Sequence, residues 1–460
     1  MTVRQLDRLG RNGLGGALVA TLLVVSPQPP VSAEQRVDVA SEIWQGDLSR
    51  RLATADRLAD SALFEQLYAA LEAGPRYARQ VPTGRVLQSH RIDGVEHPYL
   101  VLVPRGYDPE RRYPARIYLH GGVARRELPA NGGWWRDPDR LASEDHIAVF
   151  PASWADSTWW QESQLASLAG ILARLKMIYN LDENRVHVVG RSDGGTGAWY
   201  LAFRNPTPWA GFVPMIGHPA VLASPRVAAA GQMHPVNLRN RAFLVFNGET
   251  DRLYPAASVR PYIDLFREAE VAVEFVEMTG EGHTVSWWPQ QADRIERFVA
   301  STTRDPLPTR LSWETEDVEG FNRAHWLVID EVGAAAGDAE LPDIERRLPG
   351  ASNLFVGFPR FAPSGRVEAT VVGNEIELRS RGVRRLRLLL SPRQFDLARP
   401  LRVTVNGVQR HFGVVPADSR SLLRWAARDL DRSMLFAAEL EILIPALSGA
   451  DRPSSSPRLR

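Results

Sequence analysis

The chain has 460 residues, 44% hydrophobic and 24% charged, which excludes a disordered tail protein, a collagen-like repeat and a small disulfide scaffold. Its 55 basic and 54 acidic residues nearly cancel, which argues against a nucleic-acid binder with a basic face or arm. Cysteine is absent, so thiol catalysis, thiolate zinc sites and disulfides are excluded.

In chain order, Arg4, Arg8 and Arg11 precede an apolar run over 14–25, then prolines and Val31-Ser32-Ala33. A basic start, a short apolar stretch and a small-residue cleavage pattern make a secretory signal peptide over 1–33. The run is shorter than the roughly 20 apolar residues that span a bilayer. The expected location is therefore secreted or periplasmic, with no stable membrane span after cleavage. Residues 34–82 read as a helical lead-in. Leu48, Leu52, Leu58, Leu63, Leu67 and Leu71 recur with charges between them, and Gly74-Pro75 ends the pattern.

From 83 to 302 short apolar runs alternate with helical stretches. Strands are expected over 99–103, 116–119, 147–150, 186–189, 211–215, 243–246 and 273–277. Helices are expected over 163–179, 196–203, 257–269 and 290–302. This rhythm implies an α/β fold, a mainly parallel sheet with helices on both faces. A linker-like stretch covers 303–308. Beyond it, closely spaced strands are expected over 324–331, 354–358, 366–372, 375–379, 384–390, 401–405, 408–414 and 438–444. Gly373-Asn374 and Asn406-Gly407 are tight-hairpin signals between pairs of them. This pattern suggests a C-terminal β-sandwich-like domain over 310–446, interrupted by a helix over 419–432. Residues 447–460 read as a disordered tail. No internal repeat is present.

Gly190-Arg191-Ser192-Asp193-Gly194 follows the expected strand 186–189 and precedes a helical stretch. Gly-x-Ser-x-Gly in a strand–turn–helix context places a serine on a strained elbow, where its hydroxyl protrudes. A nucleophilic serine needs a base, and the base an orienting acid. Asp251 and His283 each lie just past the end of an expected strand, where open α/β sheets build their sites. The order Ser192, Asp251, His283 is the order this fold uses. Glu249 is the alternative acid. His120, His218 and His234 fall in the wrong order. For the oxyanion hole the expected donors are the N–H groups of Asp193 and of Gly122 in His120-Gly121-Gly122-Val123, with Gly121 and Val123 as one-residue alternatives.

On His120-Gly121-Gly122, Gly190-x-Ser192-x-Gly194-Gly195, Asp251 and Gly282-His283, the chain resembles the α/β-hydrolase superfamily. Tyr99 to Pro104 and Arg112-Tyr113-Pro114 are similar to the entry strands of secreted esterases and prolyl-oligopeptidase-type catalytic domains. The resemblance covers about 83–302 and implies a serine hydrolase. The loop is His-Gly-Gly-Val where many lipases have a longer glycine run, and no propeller precedes the domain.

Three Trp pairs, Trp134-Trp135, Trp159-Trp160 and Trp287-Trp288, fall on loops at the same sheet edge. They are candidate substrate-binding residues, as a platform for a sugar or an aromatic acyl group. No metal-ligand spacing and no phosphate-binding glycine loop is present, so no metal or cofactor is implied. The expected activity is hydrolysis of a small-molecule or polymer-borne carboxylic ester by an exported enzyme. The alternatives are a peptidase using the same residues and a non-catalytic surface-binding protein. Oligomeric state is left open.

Overall fold

The computed structural model describes residues 39–126, 128, 133–224, 231–347 and 355–446. The signal-like segment 1–33, the tail 447–460 and residue 354 of one expected strand lie outside the described residues. No helix among the described residues is long and apolar enough to cross a membrane.

The described part of the lead-in is helical over 39–43 and forms α1 (Leu48–Leu58) and α2 (Phe64–Ala73). Asp47 caps α1 by accepting from the Arg50 N–H at 2.9 Å. Their apolar residues, with Ile43 and Trp44, pack on α7 (Ser419–Asp429) near the other end of the chain. The lead-in is thus part of the core.

Eight strands follow: β1 (Gly84–Ile92), β2 (Val95–Val103), β3 (Tyr113–Leu119), β4 (Ile147–Pro151), β5 (Leu181–Arg191), β6 (Gly211–Met215), β7 (Ala242–Gly248) and β8 (Ala272–Met278). They make one sheet in the order β1-β2-β4-β3-β5-β6-β7-β8. β2 runs antiparallel to both neighbours, and β4, β3 and β5 to β8 are mutually parallel. The crossovers include α3 (Glu162–Ile178), α4 (Asp193–Arg204) and α5 (Ala256–Glu268), and α6 (Trp288–Ser301) follows β8. β3 to β7 are buried almost throughout, as a sheet covered on both faces requires. β1 was not foreseen. Its side chains alternate between half-buried and exposed, so it carries no apolar run. Asp93 and Gly94, both at positive φ, turn it into β2.

The C-terminal sheets are built from β9 (Arg310–Thr315), β10 (Arg323–Ala324), β11 (Leu327–Val332), β12 (Arg346–Arg347), β13 (Phe355–Val356), β14 (Gly365–Val372), β15 (Glu375–Arg381), β16 (Val383–Leu390), β17 (Leu401–Val405), β18 (Val408–Gly413) and β19 (Ala438–Leu443). Five strands run β18-β17-β15-β14-β9 and four run β10-β11-β16-β19, antiparallel except for β15 with β17. The expected strand over 354–358 is the two-residue β13, paired only with β12.

The two parts share one core. Trp199, Phe212 and Phe243 belong to the same buried cluster as Trp313, Trp326 and Leu388. Polar contacts seal the junction. Arg304, in the stretch read as a linker, is buried and donates to Asp431 at 2.7 Å and to Asn184 at 2.7 Å. Arg432 donates to Glu183 and to the Asn180 side chain at 2.9 Å. The Asn237 side chain pairs with the Glu314 backbone in both directions, at 2.8 and 2.9 Å.

Cutting the chain near Pro306 would uncover this core. A fragment of residues 34–305 is expected to aggregate, where two independent domains would leave it soluble; light scattering after expression decides.

Glu314 and Glu316 also stand at the junction. Burial pushes both up. His234, Arg360 and Ser364 outweigh it for Glu314, and His234, Arg204 and the Gln232 N–H for Glu316, leaving each at about 2. Because the folded values are depressed, their stabilisation is complete above the ordinary glutamate value of about 4.3. It is lost as pH falls from there toward about 2. Acid titration followed by tryptophan fluorescence is expected to show the junction failing in that window, and less steeply in Glu316→Gln.

Candidate active site

β5 ends at Arg191, and α4 starts two residues later. Between them Ser192 takes φ 53° and ψ −121°, a region an L-residue enters only under strain. Its N–H donates to the Met215 carbonyl of β6 at 2.9 Å, which holds the turn. Gly194 lets α4 come this close, since a Cβ there would lie 2.1 Å from the Leu119 carbonyl oxygen of β3.

Ser192 Oγ lies 2.9 Å from His283 Nε2, and His283 Nδ1 lies 2.8 Å from Asp251 Oδ2. The three residues expected to act together are thus in line. Asp251 is buried, and its other oxygen accepts the N–H groups of Leu253 and Tyr254 at 2.8 and 3.0 Å. With Asp251 accepting, Nδ1 carries the imidazole proton and Nε2 is left to face the serine. The Tyr254 ring stands edge-on to His283, with centroids 5.8 Å apart. Glu249 does not reach the histidine; it accepts from the Gly280 N–H at 2.8 Å and braces the loop that carries His283.

The three histidines that fall in the wrong order have other partners. His120 is fully buried and accepts the Ser153 N–H on Nε2 at 3.0 Å, so Nδ1 donates to the Gly121 carbonyl. Burial pushes its pKa down to about 4. His218 is likewise held down at about 4 by burial, between Tyr254 and Tyr262. His234 lies at the junction, 2.9 Å from Glu316.

The oxyanion expectation needs correcting. The Gly122 N–H does not face open space: it donates to the Asp193 carboxylate at 2.8 Å, and the Val123 N–H does so at 3.0 Å. The side chain of Asp193 was expected to point elsewhere, yet it ties the loop after β3 to the elbow. Its own N–H opens α4, where no carbonyl within the helix can accept it.

The Trp expectation also fails. Trp134, Trp135, Trp159, Trp160 and Trp287 are all at most 6% exposed, so none offers a free ring face as a platform. Trp134 Nε1 donates to the Phe150 carbonyl and Trp159 Nε1 to the His120 carbonyl; Trp287 stacks on Phe246. They pack loops together, which is what large apolar side chains on connecting segments mostly do. Among the described residues no group of three or more His, Asp or Glu is placed to hold a metal ion.

No family model and no curated protein matches the sequence. Among solved structures the chain is similar to a thermostable esterase, at 23% identity over 48% of this chain and 63% of that one, TM-score 0.39. It is similar to a dipeptidyl aminopeptidase IV from Bacteroides ovatus, at 15% identity over 47% of this chain and 36% of that one, TM-score 0.39. A ferulic acid esterase matches at 19% identity over 47% of this chain and 97% of that one, TM-score 0.37. The chain thus spans less than two thirds of the first two proteins. Strand order, with one antiparallel entry pair and the strained elbow at Ser192 after β5, decides the architecture. The fold is that of an α/β-hydrolase.

In this α/β-hydrolase frame the loop after β3 runs close to Ser192. A Cβ on Gly121 would lie 2.7 Å from Ser192 Cβ and 3.2 Å from the Arg191 carbonyl oxygen. Gly121→Ala is expected to push Ser192 away from His283 and to cost about a hundredfold in kcat. Ester turnover measured beside a melting curve separates this displacement from unfolding.

Proposed function

We propose that the protein is an exported serine hydrolase that cleaves carboxylic esters through an acyl-enzyme. The observation that carries this reading is the continuous line from Ser192 Oγ through His283 to buried Asp251, at 2.9 and 2.8 Å, on a strained elbow. Export rests on the charge and hydropathy pattern of residues 1–33.

Ser192 Oγ attacks the ester carbonyl carbon while His283 Nε2 takes the hydroxyl proton. Asp251 holds the ring and stabilises the imidazolium that forms. The negative charge on the former carbonyl oxygen is met by the Asp193 N–H and the N-terminal end of α4. His283 returns its proton to the alcohol oxygen as the carbon–oxygen bond breaks, and the alcohol leaves. Water, deprotonated by the same nitrogen, then attacks the acyl-serine and frees the acid.

Ser192→Ala is expected to keep the melting temperature and to lower turnover of a 4-nitrophenyl ester by several orders of magnitude. Labelling by a fluorophosphonate probe should be lost with it. Asp251→Asn is expected to cost about 10⁴ in kcat, and Glu249→Gln far less. Retention of more than about a tenth of activity in Ser192→Ala refutes the assignment, and the reverse ranking of the two acids moves the role to Glu249. An amide substrate assayed beside the ester tests for peptidase activity.

A further inference from the structure

Arg191 is the last residue of β5 and the immediate neighbour of Ser192. Its guanidinium lies over the Trp135 ring, with Cζ 4.3 Å from the centroid. No described carboxylate lies within ion-pair distance of it. Arg125, on the loop after β3, donates from Nε to the Gly122 carbonyl at 2.9 Å. Its Nη2 comes within 3.1 Å of where a Cβ on Gly122 would sit. Arg136 follows Trp135 directly and is exposed. Neither Arg125 nor Arg136 has an ion pair among the described residues.

Burial lowers the pKa of Arg191, and Arg136 and Arg125 lower it further. Arg125 and Arg136 are therefore each close enough to repel Arg191. The two anions of the site do not relieve them. The Asp193 carboxylate holds the Gly122 and Val123 N–H groups, and Asp251 holds His283 and its own loop. Arg204, Arg304 and Arg323 are matched to Glu316, Asp431 and Asp429, and the buried Arg51 and Arg241 are held by backbone carbonyls. Among the described residues the trio beside Ser192 has no carboxylate partner, which leaves room for an anion from outside. A guanidinium seated over an aromatic ring still presents its fork of N–H donors, whose geometry matches a carboxylate.

We propose that Arg191, with Arg125 and Arg136, forms an anion-binding subsite, and that the preferred ester carries a carboxylate close to the scissile bond. This rests on the serine-hydrolase reading above. The carboxylate can belong to the acyl part, as in a hemiester of a dicarboxylic acid, or to the alcohol part, as in an acylated hydroxy acid. Both present the same charge to the same arginines.

Two pairs of esters differing only in that charge test the proposal and distinguish its sources. For the acyl side, 4-nitrophenyl hemisuccinate is compared with 4-nitrophenyl succinamate. For the alcohol side, 4-acetoxybenzoate is compared with 4-acetoxybenzamide. In at least one pair the charged member is expected to have a kcat/KM about tenfold higher or more at low salt, through a lower KM. The ratio should shrink as salt rises, because exposed charges are screened within about 10 Å at 0.1 M. Arg191→Gln and Arg125→Gln should each move the ratio toward one, and Arg125, being exposed, keeps the test available if Arg191→Gln does not fold. Ratios near one in both pairs for the unaltered protein, or ratios that survive both substitutions, overturn the proposal while leaving the hydrolase reading intact. Absence of both ester turnover and fluorophosphonate labelling is instead the failure of that reading. In that event calorimetric binding of 4-acetoxybenzoate to Ser192→Ala, lost on adding Arg191→Gln, still supports the anion subsite; no binding overturns it.

Discussion

Ser192 stands in a left-handed backbone conformation, and much of the large sheet is arranged so that this survives. Such strain costs of order 1–3 kcal/mol per residue and persists only where the surroundings over-determine it. Here β3, β6 and α4 all bear on the same few atoms. The Met215 carbonyl takes the serine N–H, Leu119 abuts Gly194, and Gly121 leaves just the space that the serine Cβ needs. None of the three can shift without disturbing the others. The hydroxyl is therefore aimed before any substrate arrives, and His283 need only be carried to it by the loop after β8.

The junction between the large sheet and the C-terminal strands uses a different device. Arg204, Arg304 and Arg432 are almost fully buried, each against a carboxylate from the other part. Such pairs are weak evidence for net stability, since desolvation offsets much of the attraction. They are strict about geometry, however, because a displaced partner leaves a bare charge in an apolar interior. Together with the shared apolar cluster they fix how the two parts sit on each other.

What could be read from residues alone follows a physical division. The clustering of Ser192, His283 and Asp251 was legible because such residue types are expected just past strand ends, and strand ends are visible as the close of a Val- or Ile-rich run. Most of the buried strands were legible for the same reason. β1 was hidden because an edge strand alternates polar and apolar residues and resembles a loop. The role of Asp193 was hidden because only the turn itself decides that its carboxylate folds back onto Gly122 and Val123. The Trp pairs misled because adjacency in sequence suggested a shared surface, while their indole rings turned inward. The buried arginines could not be found at all, since their partners lie more than 100 residues away: Arg204 with Glu316, Arg304 with Asp431, Arg432 with Glu183.

The clasp between the two ends of the chain has a consequence for how the molecule is made. Arg51 of α1 donates to the Ala427 carbonyl of α7 across 376 residues of sequence. Ile43, Trp44, Leu67 and Leu71 bury against the same helix. During synthesis these first-made apolar residues emerge long before the partner that covers them. Contacts of such separation form late and slowly, and the exposed segment is open to wrong partners in the meantime. This cluster can therefore close only once α7 has been made and reaches back to α1 and α2.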